Sequence, residues 1–149
     1  MKGFIYKLYS EKGPEYYIGS TEMTLEKRKT YHIKMYEFLK DVNENKLAYS
    51  RILFKNYGTN EIKIELLEVI EYTTEKELRK REQYYLDLHK LDKNCVNRNR
   101  AYRDPNLKKM YKKEDNARFY KSTALNRKLQ YNNLKFLKYL PYYRVNILF

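Results

Sequence analysis

The sequence predicts an α+β fold in which helices flank a small, three-stranded, mainly antiparallel sheet, with a basic helical extension at the carboxyl end. Two short aromatic and β-branched segments lie on either side of a Gly-Pro pair near the amino terminus, and a third, alternating segment lies near residue 65. Charge is uneven, because residues 1–100 carry a net charge of +4 and residues 101–149 a net charge of +9. We therefore expect a core domain at residues 1–103 and an extension at residues 104–149.

The first two strands are expected at Phe4–Tyr9 and Tyr16–Gly19, joined as a hairpin through Gly13 and Pro14. The third strand is expected at Ile62–Ile70, where apolar residues first alternate with charged ones and then become continuous. These three segments predict the sheet.

Three helices are expected around the sheet. The first covers about 24–40 and the second about Leu47–Tyr57. A capping box of Thr74 and Glu77 opens the third, which extends to about Lys90.

The extension is also expected to be helical. Asp104 is a suitable N-cap and Pro105 suits the first helical position. We expect the helix to continue, in two pieces, to Leu140 before Pro141.

Bulk composition limits the function classes. A net charge of +13 and a pI near 9.6 favour a polyanionic partner, either nucleic acid or an anionic membrane surface. The chain has no apolar run near 18 residues and no secretory leader, so we expect no membrane span and an intracellular protein, cytoplasmic or nuclear. A single cysteine, Cys95, excludes an internal disulfide and is interpreted as a small apolar residue.

Polar residues occupy the expected inward faces of two helices. On the first helix, intervals of three and four form a single stripe of Leu25, Arg28, His32, Met35 and Leu39. On the third helix, Glu82 shares a stripe with apolar residues. Such groups are costly on inward faces unless they are paired or used for chemistry. A structural Arg28–Glu82 ion pair with His32 as a helper is one explanation, and a catalytic site is the other.

These residues together resemble the GIY-YIG endonuclease family. The tripeptides that name the family match Phe4-Ile5-Tyr6 and Tyr17-Ile18-Gly19, and its functional side chains fall on Tyr6, Tyr17, Arg28, His32, Glu82 and Asn97. The resemblance covers about residues 3–100 and is greatest to phage and viral members, including the catalytic modules of intron-encoded homing endonucleases. It implies a metal-dependent DNA endonuclease with the GIY-YIG nuclease fold.

Two positions depart from the family pattern. Phe4 stands where the family usually has its first glycine, with Gly3 displaced by one residue. Ser20 stands where some repair-type members carry a lysine, so lowering the pKa of a tyrosine must fall to Arg28 or to a lysine from elsewhere.

The resemblance implies one divalent ion per active site, Mg²⁺ or Mn²⁺, bound by Glu82 and several waters. It also implies that Arg28 would bind the scissile phosphate through its planar fork. His32 would orient the attacking water or a tyrosine hydroxyl, and Asn97 would position the glutamate or a phosphate.

Tyr6 or Tyr17 would be the general base, with Tyr6 preferred and Tyr17 as its partner. The alternative for Tyr17 is packing against the first helix. A tyrosine with a pKa near 10 is deprotonated about once in a thousand at pH 7, which costs about 4 kcal/mol. Activity is therefore expected to rise towards alkaline pH.

Outside the site, DNA contacts are expected from Lys27, Lys29, Lys108, Lys109, Lys112 and Lys113. The alternatives are a solvated lysine face on the first helix and an extension that completes the fold or a dimer contact. His89 is expected to have a structural role at the end of the third helix.

The leading interpretation is an enzyme that hydrolyses DNA phosphodiester bonds, with DNA as partner and monomer or dimer both open. A nucleic-acid-binding protein that keeps the nuclease fold without cutting is the alternative, and a structural or partner-binding role is a third. The short extension favours a compact stand-alone nuclease from a virus, phage or mobile element.

Overall fold

The computed structural model describes residues 1–39 and 49–144. Its elements in chain order are β1 (Lys2–Tyr9), β2 (Tyr16–Thr21), α1 (Leu25–Leu39), α2 (Arg51–Tyr57), β3 (Lys63–Glu71), α3 (Glu75–Leu88) and α4 (Lys108–Arg144). The predicted α+β fold, with its three-stranded sheet and helical extension, is confirmed. The chain divides into two compact units between Tyr102 and Arg103.

The sheet is antiparallel throughout, in the order β2-β1-β3. Tyr6 on β1 lies opposite Gly19 on β2 and opposite Leu66 on β3. A register shift between Ile5 and Tyr6 marks a bulge against β3. Because β1 is the central strand, β2 lies at one edge of the sheet, with no further strand of the described residues beside it.

Helices cover both faces of the sheet, because alternate residues of β1 enter different cores. On one face, Ile5 and Ile18 pack with Leu78 of α3. On the other face, Tyr6 and Leu8 pack with Leu53 and Phe54 of α2 and with Ile62 and Val96, and residues of α1 lie against this cluster. The tyrosine hairpin therefore lies between two layers of helix.

Gly3 brings α3 close to the sheet. A Cβ atom at this position would lie 2.9 Å from side-chain atoms of both Leu78 and Tyr72, which is closer than real contacts allow. Although the glycine of the first tripeptide stands at position 3 instead of position 4, it still allows β1 and α3 to approach closely.

The face that α1 turns to the sheet differs from the predicted stripe. Leu25, Ile33 and Tyr36 pack against the core, whereas Met35 is 37% exposed. His32 is the buried residue of this packed face, at 7% exposure, and Arg28 lies at its edge, where periodicity alone does not separate core residues from cleft residues.

The second helix is shorter within the described residues than predicted, since its expected start at residues 47–48 lies outside them. Leu53 and Phe54 bury its inner side. It ends at Gly58, as predicted, with φ at 83°, a left-handed value that favours glycine.

The amino terminus of α3 corrects the capping prediction. The side chain of Thr74 makes no capping bond. Instead, the Glu77 carboxylate accepts bonds from the backbone N–H of Thr73 at 2.9 Å and from its hydroxyl at 3.0 Å. These bonds lower the pKa of Glu77.

The segment after α3 is fastened to β2. The backbone N–H of Tyr16 donates to Asn94, and the N–H of Val96 donates back to Tyr16. The Tyr16 hydroxyl donates to Asp92 at 2.6 Å and lies 2.8 Å from His89 Nδ1. His89 thus has the structural role that was predicted, as a side chain that joins the end of α3 to the hairpin.

In the second unit, Asp104 accepts a bond from the backbone of Asn106 and begins a 3₁₀ turn at Pro105–Leu107. The long helix α4 follows it, and it corrects the prediction of two pieces that end before Pro141, because it continues to Arg144. No helix among the described residues is long and apolar enough to cross a membrane.

Replacing Leu78 with alanine tests the core between α3 and the sheet. Leu78 is 3% exposed, so Leu78→Ala should lower the free energy of unfolding by about 2–4 kcal/mol through lost burial and a residual cavity. Leu88→Ala on the same helix is the control, because Leu88 is 62% exposed. Equal urea midpoints for the two variants would contradict the packing described.

Candidate active site

The Tyr6 hydroxyl lies at the centre of a buried hydrogen-bond chain. Tyr6 is fully buried, and its hydroxyl accepts a bond from Arg28 Nε at 2.9 Å. The same hydroxyl lies 2.8 Å from His32 Nε2, and His32 Nδ1 lies 3.2 Å from the Ser50 hydroxyl. The phenol thus joins β1 to α1, and His32 extends the chain to Ser50 at the start of α2.

The direction of this chain follows from its first donor. Arg28 can only donate, so the Tyr6 hydroxyl accepts from it. The two remaining bonds are both satisfied by the His32 tautomer that accepts the Tyr6 proton at Nε2 and donates from Nδ1 to Ser50, and we assign this tautomer on that basis. Burial first, and the charge of Arg28 second, lower the pKa of His32 to about 3, so the ring is neutral at pH 7.

The electrostatic surroundings of the two tyrosines oppose ionisation. Burial raises the pKa of Tyr6 to about 12, while the charge and hydrogen bond of Arg28 offset part of that rise. Burial also raises the pKa of Tyr17, with further contributions from Tyr6 and Glu82. Arg28 is therefore the group that favours phenolate at either position.

Gly19 makes room for the buried hydroxyl. A Cβ atom on Gly19 would lie 2.5 Å from the Tyr6 hydroxyl oxygen and 2.9 Å from the Tyr17 ring. The second tripeptide thus needs glycine because the hydroxyl of the first occupies the space of a side chain.

An open cleft, here called the aromatic cleft, lies beside this chain with a volume of about 300 Å³. Its lining residues are Tyr17, Arg28, Tyr31, His32, Met35, Tyr36, Leu39, Ser50, Arg51 and Phe54. Tyr17 is half-buried, so it both packs against α1, as the alternative proposed, and faces the cleft.

A second cleft, here called the glutamate cleft, has a volume of about 510 Å³. It is lined by Ser20, Thr21, Glu22, Met23, Arg28, Glu75, Leu78, Arg79 and Glu82. Arg28 lines both clefts, so its guanidinium forms a shared wall at the edge strand β2. The predicted side chains therefore occupy two adjoining hollows rather than one.

Glu82 reaches the edge strand from α3. Its carboxylate accepts a bond of 2.5 Å from the Ser20 hydroxyl. Burial raises the pKa of Glu82, and the bond from Ser20 and the charges of Arg79 and Arg28 offset part of the rise. The ion-pair alternative does not describe this site, because Arg28 bonds to Tyr6 while Glu82 bonds to Ser20.

The donor set suits a strongly hydrated ion. Within the described part of the chain, no three His, Cys, Asp or Glu side chains cluster to hold a metal. One carboxylate on an open, polar cleft is nevertheless enough for Mg²⁺, which keeps several waters and uses few protein oxygens. A cation there would stabilise the ionised carboxylate and so oppose the rise in the pKa of Glu82 that burial causes.

Asn97 contacts the backbone of β2 rather than the glutamate. Its amide oxygen accepts from the Ile18 N–H at 2.9 Å, and its amide nitrogen donates to the Ile18 carbonyl at 2.8 Å. Within the described residues no direct bond joins Asn97 to Glu82, and a role of Asn97 in positioning the glutamate or a phosphate stays a prediction. Asn97 instead holds the strand that carries Tyr17 and Ser20.

The expected DNA-contact lysines lie on helix surfaces. Lys27 is exposed and Lys29 is half-buried on α1. The lysines of the second unit are all exposed near the start of α4, at Lys108, Lys109, Lys112 and Lys113. Their spacing of one and four residues places them on one side of that helix.

Sequence reasoning missed two contributors. Ser50 lies 18 residues from His32, and no short motif joins them. Tyr31, whose ring lies 5.4 Å from the guanidinium carbon of Arg28, falls outside the stripe of α1 that periodicity singles out. The contact between Ser50 and His32 arises only from tertiary packing, whereas Arg28 and Tyr31 are i, i+3 neighbours on α1, a spacing that the sequence does show.

Comparison with known proteins identifies the family to which this fold and site correspond. The family model of the GIY-YIG catalytic domain matches residues 2–94. A solved structure described as the catalytic domain of intron endonuclease I-TevI, in a glutamate-to-alanine mutant, shares the fold with a TM-score of 0.53 and 24% identity. That match covers 70% of this chain and 100% of the I-TevI domain. A search of curated proteins found no match.

The matched region includes both tripeptides, Arg28, His32 and Glu82, and it accounts for more than half of the chain. The chain belongs to the family of GIY-YIG catalytic domains, and the prediction of a DNA endonuclease is confirmed at that level.

Proposed function

We propose that the protein hydrolyses a DNA phosphodiester where its two clefts adjoin, with a tyrosine as general base and a divalent ion at Glu82. The observation that carries this proposal is the position of Arg28 in the wall of both clefts. Its Nε is bonded to Tyr6, so its planar pair of terminal nitrogens suits a bidentate bond to a phosphate. A phosphate held there would lie between the phenol and the carboxylate.

Tyr6 is the proposed base. Arg28, which would bind the phosphate, already donates to the Tyr6 hydroxyl, so base and substrate would share one positioning group. A pKa of about 12 makes the phenolate cost about 7 kcal/mol at pH 7, more than an ordinary tyrosine. Tyr6 has no exposed surface, so the attacking water must reach it when the substrate complex forms, as catalytic contacts often do.

His32 and Ser50 are proposed to position the base. A neutral His32 keeps Nε2 as an acceptor, which fixes the Tyr6 hydroxyl, and Ser50 accepts the proton on the other ring nitrogen. This pairing holds the tautomer in place without adding charge near the phenol.

Glu82 is proposed to hold one ion, Mg²⁺ or Mn²⁺, with water completing its shell. When bound, the ion would supply positive charge that favours the leaving 3′ oxygen and a phenolate nearby. Ser20 would orient the carboxylate, and Asn97 would hold the strand that carries Ser20.

Tyr17 is a second candidate for the base. Unlike Tyr6, it is half-buried and lines the aromatic cleft, where water has access. Arg28 lowers its pKa only through charge and not through a hydrogen bond, which makes its ionisation less favourable.

Glu82→Gln should lower Mg²⁺-dependent nicking of supercoiled plasmid by about 100-fold or more, because the amide loses the charge that binds the ion. Glu75→Gln is the matched control from the same cleft and should retain nicking within about twofold. Equal activity of the two variants would contradict the role of Glu82. Far-UV circular dichroism checks that both remain folded.

The pH dependence separates the two tyrosines. A base acts when deprotonated, so with a pKa of about 12 the single-turnover rate should rise about tenfold per pH unit between 6 and 9. Tyr6→Phe should lower the rate by about 100-fold or more and abolish the slope, and Tyr17→Phe should keep the slope. A Tyr6→Phe enzyme with the wild-type slope would exclude Tyr6 as the base.

Lysines of α4 are proposed to contact DNA backbone. Lys108→Gln combined with Lys112→Gln should reduce the slope of log Kobs against log salt by about 1 to 2, because each lost phosphate contact removes about 0.9. The control combines Lys12→Gln with Lys63→Gln, because these two lysines already pair with Glu61 and Glu11 on the surface of the first unit. Identical slopes for both double variants would remove the DNA-contact role of α4.

A further inference from the structure

The aromatic cleft has features that phosphate hydrolysis alone does not require. Three tyrosine rings, a histidine and a phenylalanine line it, and its exposed lining is more apolar than polar. A site that only held a phosphate and an ion would need charged and polar groups, which the glutamate cleft already provides. The proposed reaction uses Tyr17, Arg28, His32 and Ser50 from this lining, but it gives no role to the rings of Tyr31, Tyr36 and Phe54.

The rings are arranged as a partly exposed platform. Tyr31 is 46% exposed while the Arg28 guanidinium lies over its ring, so part of the ring surface is accessible to a ligand. In the same lining, Tyr36 stacks on Phe54 with centroids 5.4 Å apart and an interplanar angle of 27°, and the Arg51 guanidinium carbon lies 5.8 Å from the Tyr36 ring centroid, so both neighbours hold this ring in place. A volume of about 300 Å³ is at the lower end for small-molecule sites and suits one planar group.

Arg28 connects this platform to the phosphate site. Its guanidinium carbon lies 5.4 Å from the centroid of Tyr31, and its Nε bonds to Tyr6. A nucleotide whose phosphate is held by Arg28 would therefore carry its base next to the aromatic cleft. Bases of an intact duplex are stacked on one another and present no free face to a ring.

We propose that the aromatic cleft is a subsite for one unstacked DNA base adjacent to the scissile phosphate, held by the rings of Tyr31, Tyr17 and Tyr36. Such a subsite favours substrates whose base can leave the helix, namely single strands and unpaired or mismatched positions. This inference rests on the proposed function, since the base is placed by the phosphate on Arg28.

The test compares two 12-nucleotide strands with equal numbers of phosphates, one with bases and one built entirely of abasic sugar phosphates. Affinities are measured by fluorescence anisotropy without divalent metal, so that no strand is cut. Wild type should bind the strand with bases about fivefold or more tightly than the abasic strand, which is the lower range for stacking of one base.

Tyr31→Ala should reduce this affinity ratio by about fivefold or more, and Tyr31→Phe should retain it because the ring remains. Tyr84→Ala is the matched control, since Tyr84 is 49% exposed on α3 and lines neither cleft. A wild-type ratio near one, an unchanged ratio in Tyr31→Ala, or an equal loss in Tyr84→Ala would each overturn the subsite.

Plasmid nicking by the wild-type protein with Mg²⁺ distinguishes failure of the subsite from failure of the proposed function. Nicking together with an affinity ratio near one would leave the nuclease in place and remove the subsite. A base-dependent ratio that Tyr31→Ala abolishes, with no cleavage of either plasmid or a single-stranded oligonucleotide in Mg²⁺, would overturn the proposed function and leave the cleft as a base-binding site without a scissile phosphate.

Discussion

The buried hydroxyl of Tyr6 is the constraint on which the site and the fold both depend. A phenol with no access to water needs partners inside the protein, since a buried hydroxyl without a hydrogen bond costs about 1–3 kcal/mol. Arg28 and His32 supply them from one helix, and Gly19 supplies the space from the neighbouring strand. Helix α1 therefore has one position over the hairpin that satisfies the hydroxyl, and that position also places the guanidinium at the edge of the sheet.

Edge strand β2 explains how groups from opposite faces of the sheet can serve one reaction. Tyr6 packs in the core beneath α1 and α2, whereas Glu82 comes from α3 on the other face. In the middle of a sheet these groups would be separated by a neighbouring strand. At an edge, Ser20 contacts Glu82 from one side while Arg28 lines hollows on both sides. The separate roles proposed for Tyr6 and Glu82 are thus consistent with the strand order.

The sequence predicts some parts of this arrangement better than others, for physical reasons. The hairpin, third strand and α3 have strong periodicity and clear boundaries, and the spacing of the tripeptides, Arg28 and Glu82 identifies the family. The face of α1 was less predictable, because a cleft and a core both favour apolar and aromatic residues. The bond between Asn97 and Ile18, and the bond between Ser50 and His32, depend on the way in which distant segments meet. Helix α4 continues past Pro141, where proline's usual effect on helices predicts an end.

The two hydrogen bonds between the Asn97 amide and the backbone of Ile18 have a consequence for how the enzyme responds to heat. Together with the ties of Tyr16 to Asn94 and Val96, it joins the segment after α3 to the strand that carries Tyr17. Local opening of that segment would release its bonds to the hairpin, so we expect the hairpin and α3 to open together as one cooperative unit. Amide hydrogen exchange across the hairpin and α3 would accordingly report a common opening free energy, and the enzyme would lose activity by unfolding as a unit rather than by gradual loosening of its centre.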